Sequence, residues 1–401
     1  MSFFPEANVG VGDALIDEAL DAIREHFGMP VAYLSRIDGD RSIFRRVSAP
    51  GLEALIKPGD EKSLGEVYCP HILNGDLPNL IPDTAAEPIC QDMPITQAVP
   101  IGSHISLPVL RPDGSPYGMF CCLSPEPNPS LNDRDLAIMR NFANLVTRQI
   151  QFEIEETDSA AAEAKLIADV IANRLITPVF QPLVQMSNGE IAGVEALSRF
   201  DPSTGLNPEQ AFTMAAECGL GQELELAALA QQLEALPMLP PGKYMSFNAS
   251  ADLICNPAFI KVLPKDQAQK LVIEVTEHSQ AADEDQLLWH IHELKSQNFR
   301  IAVDDVGAGY SGWQRIARLE PDLLKIDRSI VAGVDQSLAQ RAIVAALMHF
   351  SKETGAKVLV EGVETMGEAK ILSQLGVDLA QGWLFARPAP MHELFLNQNI
   401  A

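Results

Sequence analysis

The sequence predicts an α/β protein in which a (β/α)8-type barrel follows a smaller α+β domain and a helical linker. Three observations support this prediction. The chain has 401 residues, more than a single core comfortably organises. From about residue 178 onward, roughly eight β-type runs alternate with helical stretches. Before residue 150 the order is helix, strands, hairpin and helix. We therefore expect domain boundaries at 1–150, 151–176 and 177–401.

The first domain begins with a helix. Residues 12–28 carry apolar side chains at helical spacing and end in Gly28, which suits a helix C-cap. The run VAYLSRID then predicts a strand. Residues 105–124 contain two β-type runs joined through Pro-Asp-Gly, which predicts a hairpin. A helix with an apolar stripe is expected from about Asn132.

The segment from about 148 to 175 contains no Pro or Gly and is rich in Ala and Glu. Its apolar residues, such as Leu166 and Val170, are spaced for one helical face, so we predict a continuous or nearly continuous helix. Two interpretations stay open at this point. The helix is either a signalling element that pairs with its copy in a dimer, or a spacer packed on one domain.

In the second half, a polar residue stands at the end of each of several short apolar runs. These residues are Glu195, Asn248, Glu274, Asp304, Asp305, Lys325, Glu361 and Gln381. A charged side chain within an apolar strand is costly unless it is paired or binds a metal. Because barrel strands converge at their carboxyl ends, we expect these residues to meet in one acidic, metal-binding mouth.

Composition restricts the class of protein. The net charge of −25 argues against bulk nucleic acid as a partner, since phosphate binding normally uses clustered Lys and Arg. No apolar run reaches the ~18 residues of a membrane helix, and the first residues lack the pattern of a signal peptide. We therefore expect a cytoplasmic protein without membrane contact. The six cysteines lack paired spacings, which indicates reduced thiols.

The segment YCPHIL raises a separate possibility, because Cys69 and His71 are the kinds of residue that hold a bilin, haem or metal. A lone Cys-x-His without further ligands is a weak pattern. We expect Cys69 to pack as a small apolar residue and His71 to make an ordinary hydrogen bond.

The second half resembles the EAL domain, the cyclic di-GMP phosphodiesterase of bacteria. The resemblance rests on the following strings, which occur in family order between about 178 and 390: FQPLV, GVEALSRF, SFNAS, VIEVTE, DDVGAGYSG, LLKIDRS, VEGVET and QGWLFARP. It implies a modified TIM barrel in which one strand runs against the others. Through the hairpin string PIGSHISLPVLRPDGSPYGMFCCLSPEP and the helix after it, the first domain resembles a GAF domain, a sensory module whose ligand the sequence does not identify.

The resemblance implies hydrolysis of cyclic 3′,5′-di-GMP to linear pGpG with two Mg²⁺ or Mn²⁺ ions. The residues agree with that chemistry, because hard cations prefer oxygen ligands and the acidic set supplies them. The sequence contains no matching Cys/His set, which argues against zinc. The implied metal ligands are Glu195, Asn248, Glu274, Asp304, Asp305 and Glu361.

The family motifs also imply roles for the remaining candidates. Lys325 contacts the attacking water as a base or as a positioning cation, and Gln381 and Glu361 act beside it. Substrate-binding roles fall to Gln181, Leu197, Arg199 and Asp327. Glu277 is expected to stabilise the loop that follows Asp305, and Glu364 has either a surface role or a supporting one.

That loop departs from the family pattern, with Val306, Ala308 and Gly312 in place of Phe, Thr and Ser. We expect the change to affect rate and regulation more than metal binding, because loss of an aromatic side chain loosens packing. The main hypothesis is a GAF-regulated phosphodiesterase that forms a homodimer. The alternatives are a weak or inactive cyclic di-GMP receptor and a hydrolase of another phosphodiester.

Overall fold

The structure is a computed structural model, and it describes residues 9–276, 284–307 and 313–396. The chain divides into two compact units, Met1–Ala161 and Ala162–Ala401. In the described residues no helix is long and apolar enough to cross a membrane.

The first unit is built on a six-stranded antiparallel sheet with strand order β3-β2-β1-β6-β5-β4. The strands are β1 (Val31–Asp38), β2 (Arg41–Ser48), β3 (Glu61–Ser63), β4 (Leu80–Ile81), β5 (Ser103–Leu110) and β6 (Pro116–Ser124). The helices are α1 (Val9–Phe27), α2 (Cys69–Asn74), α3 (Pro88–Asp92), α4 (Pro94–Ala98) and the part up to Ala161 of α5 (Asp133–Ala172), which continues into the second unit. The predicted helix, hairpin and α+β order are therefore confirmed.

The two faces of this sheet carry separate cores, because successive side chains along a strand point to opposite faces. Cys122 packs with α1 and α5 on one face, whereas Cys121 packs with Tyr33 and Cys69 on the other. Burial raises the pKa of Cys69 to about 11, so its thiol stays protonated. His71 Nδ1 lies 3.3 Å from Asp76 Oδ2. Both residues thus behave as ordinary structural side chains.

One prediction concerns His104 in β5, which is 3% exposed. Burial lowers its pKa from 6.5 to about 4, so the folded unit holds the neutral ring. The unfolded chain binds the proton first as pH falls below 6.5. The stabilisation is therefore complete above pH 6.5 and is lost as the pH falls towards 4. Between pH 7.5 and 5.5 we expect the first unit to lose about 1 kcal/mol.

Hydrogen exchange of β5 amides at the two pH values measures this loss. His104→Phe should remove most of it, and the exposed His26→Phe should not. Equal pH dependence in His104→Phe and in the unsubstituted chain would show that His104 is not its source.

The helix predicted from about Asn132 and the linker predicted at 148–175 form one helix, α5, of 40 residues. The sequence contains no Pro or Gly between its ends, so nothing interrupts the backbone hydrogen bonds. Arg45 of β2 holds the middle of this helix. Its Nη2 donates to Glu153 Oε2 at 2.8 Å and to Asp13 Oδ1 of α1 at 3.0 Å, while Nη1 donates to the hydroxyl of Tyr117.

The second unit contains a closed barrel with strand order β10-β11-β12-β13-β14-β7-β8-β9. Its strands are β7 (Ile176–Gln185), β8 (Ile191–Phe200), β9 (Tyr244–Asn248), β10 (Leu271–Thr276), β11 (Arg300–Val306), β12 (Leu323–Ile326), β13 (Lys357–Val360) and β14 (Leu379–Ala380). The helices are α6 (Pro208–Glu217), α7 (Gly221–Leu233), α8 (Ala251–Ile254), α9 (Phe259–Val262), α10 (Glu284–Ser296), α11 (Trp313–Leu319), α12 (Arg328–Val331), α13 (Leu338–Thr354), α14 (Met366–Gln374) and α15 (Met391–Leu396).

Strand β7 is the reversed strand of the barrel. It pairs antiparallel with both β8 and β14, whereas the other neighbouring strands are parallel. Residues 186–190 connect β7 to β8. This connection is too short for a crossover between parallel strands, so the two strands form a hairpin. The predicted barrel, with one strand running against the rest, is confirmed.

The barrel interior is layered. A cluster of apolar residues includes Val272, Ala302, Leu323, Leu359 and Leu379. Two residues further along each of these strands stand the polar residues Glu274, Asp304, Lys325, Glu361 and Gln381. Because side chains alternate along a strand, residues i and i+2 point the same way. The polar residues therefore form a layer above the apolar one, at the carboxyl ends of the strands.

Candidate active site

The polar layer is organised around Lys325, whose side chain is fully buried. Its Nζ contacts four carboxylates, one from each of four strands or strand ends. The distances are 2.6 Å to Glu274 Oε2, 2.7 Å to Glu361 Oε1, 3.0 Å to Asp304 Oδ2 and 3.3 Å to Glu195 Oε1. A buried ammonium is stable only with such partners. The site is therefore one ammonium enclosed by four acids, which we call the Lys325 cluster.

Two effects set the pKa values of the groups in the Lys325 cluster: burial, and the attraction between the carboxylates and the Lys325 ammonium. Burial opposes the charged form of Lys325, but the surrounding carboxylates outweigh it and raise its pKa well above the usual value. Burial raises the pKa of Glu361 to about 8 against the attraction of Lys325, and raises that of Glu274 well above its usual value. For Glu195, burial is outweighed by Lys325 and by the hydrogen bond from Gln381, so its pKa is lowered.

Amide side chains fix the orientation of Glu195. Gln381 Nε2 donates to Glu195 Oε2 at 2.5 Å and to Gln181 Oε1 at 2.9 Å. Gln181 stands opposite Glu195 in the β7–β8 register, so the hairpin itself brings the two together. On the other side, Asn248 Nδ2 donates to Glu195 Oε1 at 3.3 Å. Both oxygens of Glu195 are thereby held towards the mouth of the barrel.

The pairing of β11 with β12 is irregular between Val303 and Val306, around Asp304 and Asp305. Asp305 has φ +56° and its N–H donates to Asp304 Oδ1 at 2.9 Å. Gly307 has φ +100°, and an added Cβ there would collide with Ile330, so only glycine fits. Val306, the first departure from the family loop, is 2% exposed and packs in the barrel core. Ala308, Gly312 and Glu277 lie outside the described residues.

The donor set of the Lys325 cluster fits hard divalent cations. One oxygen each from Glu195, Asp304 and Glu361 lies within 4.8 Å of the others. The buried Glu274 Oε1 has no hydrogen-bond partner in the part of the chain that the structure describes. Four carboxylates share one ammonium, so the ionised cluster has a deficit of positive charge. Oxygen ligands and unbalanced negative charge are what Mg²⁺ and Mn²⁺ sites require.

Two cavities adjoin the cluster. One of about 340 Å³ is lined by Gln181, Glu195, Leu197, Glu361 and Gln381, among others. The second, of about 380 Å³, is lined by Leu197, Arg199 and Asn248 together with residues of α6 and α7. Leu197 and Arg199 follow Glu195 at intervals of two, so β8 presents all three on one face.

Asp327 has a different structural role from the other candidate site residues. Its Oδ1 accepts a hydrogen bond from Ser329 N at 2.9 Å, so it caps α12. It is not among the residues that line either cavity. Glu364 lines the first cavity and pairs with Arg328 at 2.8 Å.

Sequence reasoning missed two residues of the first cavity, Arg328 and Trp383. Trp383 is 55% exposed, and Arg387 Cζ lies 4.4 Å from its ring centroid. An exposed aromatic next to a polar cluster indicates a binding surface, but exposure is a property of the folded chain and gave no signal in the sequence. Both residues stood in the strings LLKIDRS and QGWLFARP but were not singled out.

The geometry and the sequence identify the family together. The family model of the EAL domain matches residues 164–388, more than half of the chain, and the matched segment contains the whole Lys325 cluster. This chain belongs to the EAL-domain family. The model of the GAF domain matches residues 12–150, which cover the six-stranded sheet of the first unit.

Relatives of the EAL domain agree. The chain is 29% identical over 249 residues to the probable cyclic di-GMP phosphodiesterase PdeG of Escherichia coli, covering 59% of this chain and 49% of that protein. It is 29% identical over 258 residues to the bifunctional diguanylate cyclase/cyclic di-GMP phosphodiesterase MucR of Pseudomonas aeruginosa, covering 61% and 38%. The chain thus spans about half the length, or less, of these relatives.

A solved structure of the PaMucR phosphodiesterase in complex with c-di-GMP resembles the barrel unit. The TM-score is 0.51 at 29% sequence identity, and the match covers 58% of this chain and 100% of that one. The likeness therefore extends over the whole of that solved chain.

Proposed function

We propose that this protein hydrolyses cyclic di-GMP to linear pGpG with the help of two divalent cations. The observation that carries the proposal is the Lys325 cluster, in which carboxylates from several strands of an EAL barrel converge beside a cavity of about 340 Å³. The relatives are named for cyclic di-GMP phosphodiesterase activity, and the PaMucR structure is a complex with c-di-GMP. The cation requirement follows from the excess of carboxylates over ammonium groups.

The proposed ligands are Glu195, Asn248, Glu274, Asp304, Asp305 and Glu361, and the ions they hold are Mg²⁺ or Mn²⁺. When bound, such ions neutralise phosphodiester charge and make water a better nucleophile. Lys325 Nζ lies within 3.3 Å of four carboxylates at the centre of the site, and its proposed role is to position the attacking water. Gln381 holds Glu195 in place and can orient the water.

The substrate would enter across β8. Leu197 offers an apolar contact between the two cavities, and Arg199 offers a guanidinium for phosphate. Gln181 lies at the rim beside Glu195. The exposed ring of Trp383 suits stacking with a guanine base. Asp327 is proposed to help at the site by positioning α12, which it caps.

A substrate panel tests this function. The purified chain with Mn²⁺ should convert cyclic di-GMP to pGpG, and should leave cyclic GMP and cyclic di-AMP largely intact. Comparable turnover of a simple aryl phosphodiester would point to a general hydrolase. Tight binding of cyclic di-GMP without product would point to a receptor, the alternative that the Val306 loop first suggested.

The first unit is proposed to regulate the barrel unit through α5. It contains a mainly apolar cavity of about 290 Å³ whose lining includes Phe44 of β2. The next residue, Arg45, holds α5 through Glu153. Phe44 and Arg45 point to opposite faces of the sheet, so a ligand that displaces β2 would also shift the contact with α5. In this scheme residues 1–150 sense, 151–176 connect and 177–401 catalyse.

Arg45→Met should therefore loosen α5. Loss of its partly buried ion pairs with Asp13 and Glu153 should speed amide exchange around residue 153 by about tenfold. The matched control is Arg41→Met. Arg41 lies in β2 like Arg45, and its ion pair with Glu61 of β3 is exposed. Unchanged exchange around 153 in Arg45→Met would refute this role.

We further propose that the protein acts as a homodimer. An EAL barrel preceded by a long helix without breakers suits pairing between two copies of α5. A monomeric mass by light scattering at micromolar concentration would refute this part of the proposal.

A further inference from the structure

A third cavity of the barrel unit, of about 430 Å³, opens at the amino-terminal ends of the strands. Tyr244, Arg300 and Lys357 line it, and they are the first residues of β9, β11 and β13. Its inner wall is the apolar layer of the barrel, represented by Val272 and Leu323. The members of the Lys325 cluster are two residues further along their strands and do not line this cavity. It is therefore a separate site at the opposite end of the barrel.

Two buried polar atoms at this site have no partner. Tyr244 is 9% exposed, yet its hydroxyl makes no hydrogen bond within the described ranges, and the same holds for Arg300 Nε. The two side chains are adjacent, since Arg300 Cζ lies 4.5 Å from the Tyr244 ring centroid. Arg300 Nη2 donates to the Gln269 carbonyl at 3.3 Å, which holds the guanidinium in position. Buried donors without acceptors are rare in folded proteins, so an acceptor is expected here.

The other charged groups of the cavity define which acceptor fits. Asp322 and Asp378 are already satisfied in part, because each accepts a backbone N–H at 2.9 Å, from Ile301 and Val358 respectively. Lys357 adds a second cation to Arg300. Two cations and two acids make the charge of this lining balanced overall, so the unmet donors rather than net charge define the ligand. A carboxylate has two acceptor oxygens for the two donors, and its single charge would lie beside the guanidinium of Arg300.

We propose that this cavity binds a small organic carboxylate, whose oxygens accept hydrogen bonds from Arg300 Nε and the Tyr244 hydroxyl. The apolar layer receives the rest of the molecule. The volume lies in the range of small-molecule sites. No member of the Lys325 cluster lines this cavity.

Saturation-transfer NMR on the full chain tests this site, with benzoate as the probe and benzyl alcohol as its uncharged match. Benzoate should receive saturation at concentrations up to about 10 mM, and benzyl alcohol much less. Tyr244→Phe removes only a hydroxyl without a partner, so the fold should remain and benzoate should bind at least about fivefold more weakly. Arg300→Met should weaken binding by about tenfold or more.

Arg199→Ala is the control for the location of the probe, because Arg199 stands at the other end of the barrel. Benzoate binding should be unchanged in this variant. Three results would each overturn the proposal: no saturation transfer to benzoate, equal transfer in Tyr244→Phe, or loss of transfer in Arg199→Ala. Displacement of benzoate by equimolar inorganic phosphate would overturn the assignment to a carboxylate.

Discussion

Glu195→Ala should reduce turnover of cyclic di-GMP by a factor of about 10³ or more, because it removes a proposed ligand that also contacts Lys325 and Gln381. The side chain is 6% exposed, and its two oxygens bond to residues from three other strands or strand ends. Its loss therefore disturbs the whole cluster. The rate of pGpG formation at saturating Mn²⁺ measures the effect.

Two companion variants make that result specific. Glu195→Gln keeps the size of the side chain and removes its charge, so it should be nearly as inactive while the fold is retained. Glu190→Ala removes an exposed acid just before the same strand and should keep the full rate. If Glu195→Ala keeps more than a tenth of the rate, the assignment of Glu195 to the metal site is wrong.

Lys325→Met should destabilise the barrel unit of the metal-free protein by about 3–5 kcal/mol, because four buried or partly buried carboxylates lose the one cation that pairs with them among the described residues. It should also remove turnover. Divalent cations can replace the missing charge, so Mn²⁺ should raise the melting temperature of Lys325→Met more than that of the unsubstituted chain. All three tryptophans lie in the barrel unit, and their fluorescence therefore reports its unfolding.

The matched control is Lys370→Met, which removes an exposed lysine from α14. It should change neither stability nor the response to Mn²⁺. A Lys325→Met protein as stable as the control in a chelator would contradict the view that Lys325 balances the charge of the cluster.

The strand-end pattern was sufficient to predict the barrel and the common location of the acids. Each of Glu274, Asp304, Lys325 and Glu361 follows an apolar residue at a distance of two, and that period alone places them on the inner face. The resemblance to the EAL domain added their expected roles. The position of Lys325 at the centre of four acids was not predictable, because its contacts come from four separate parts of the chain.

Other features were missed for different reasons. Two separate helical segments were predicted where α5 is continuous, because a domain boundary was expected between them. No residue in the sequence breaks the helix. The role of Asp327 as a cap was visible in the string Asp327-Arg328-Ser329, where an Asp precedes a short helix. The unpartnered donors of Tyr244 and Arg300 had no sequence signal, since burial and partners are properties of the folded chain.

We propose that the Lys325 cluster is a divalent-cation centre that hydrolyses cyclic di-GMP. Turnover of cyclic di-GMP by the purified chain with Mg²⁺ or Mn²⁺, followed as pGpG with a chelator as the control, tests this directly. We expect product in the presence of either ion and none with the chelator. Product formation that is insensitive to the chelator, or tight binding without any product, would contradict it.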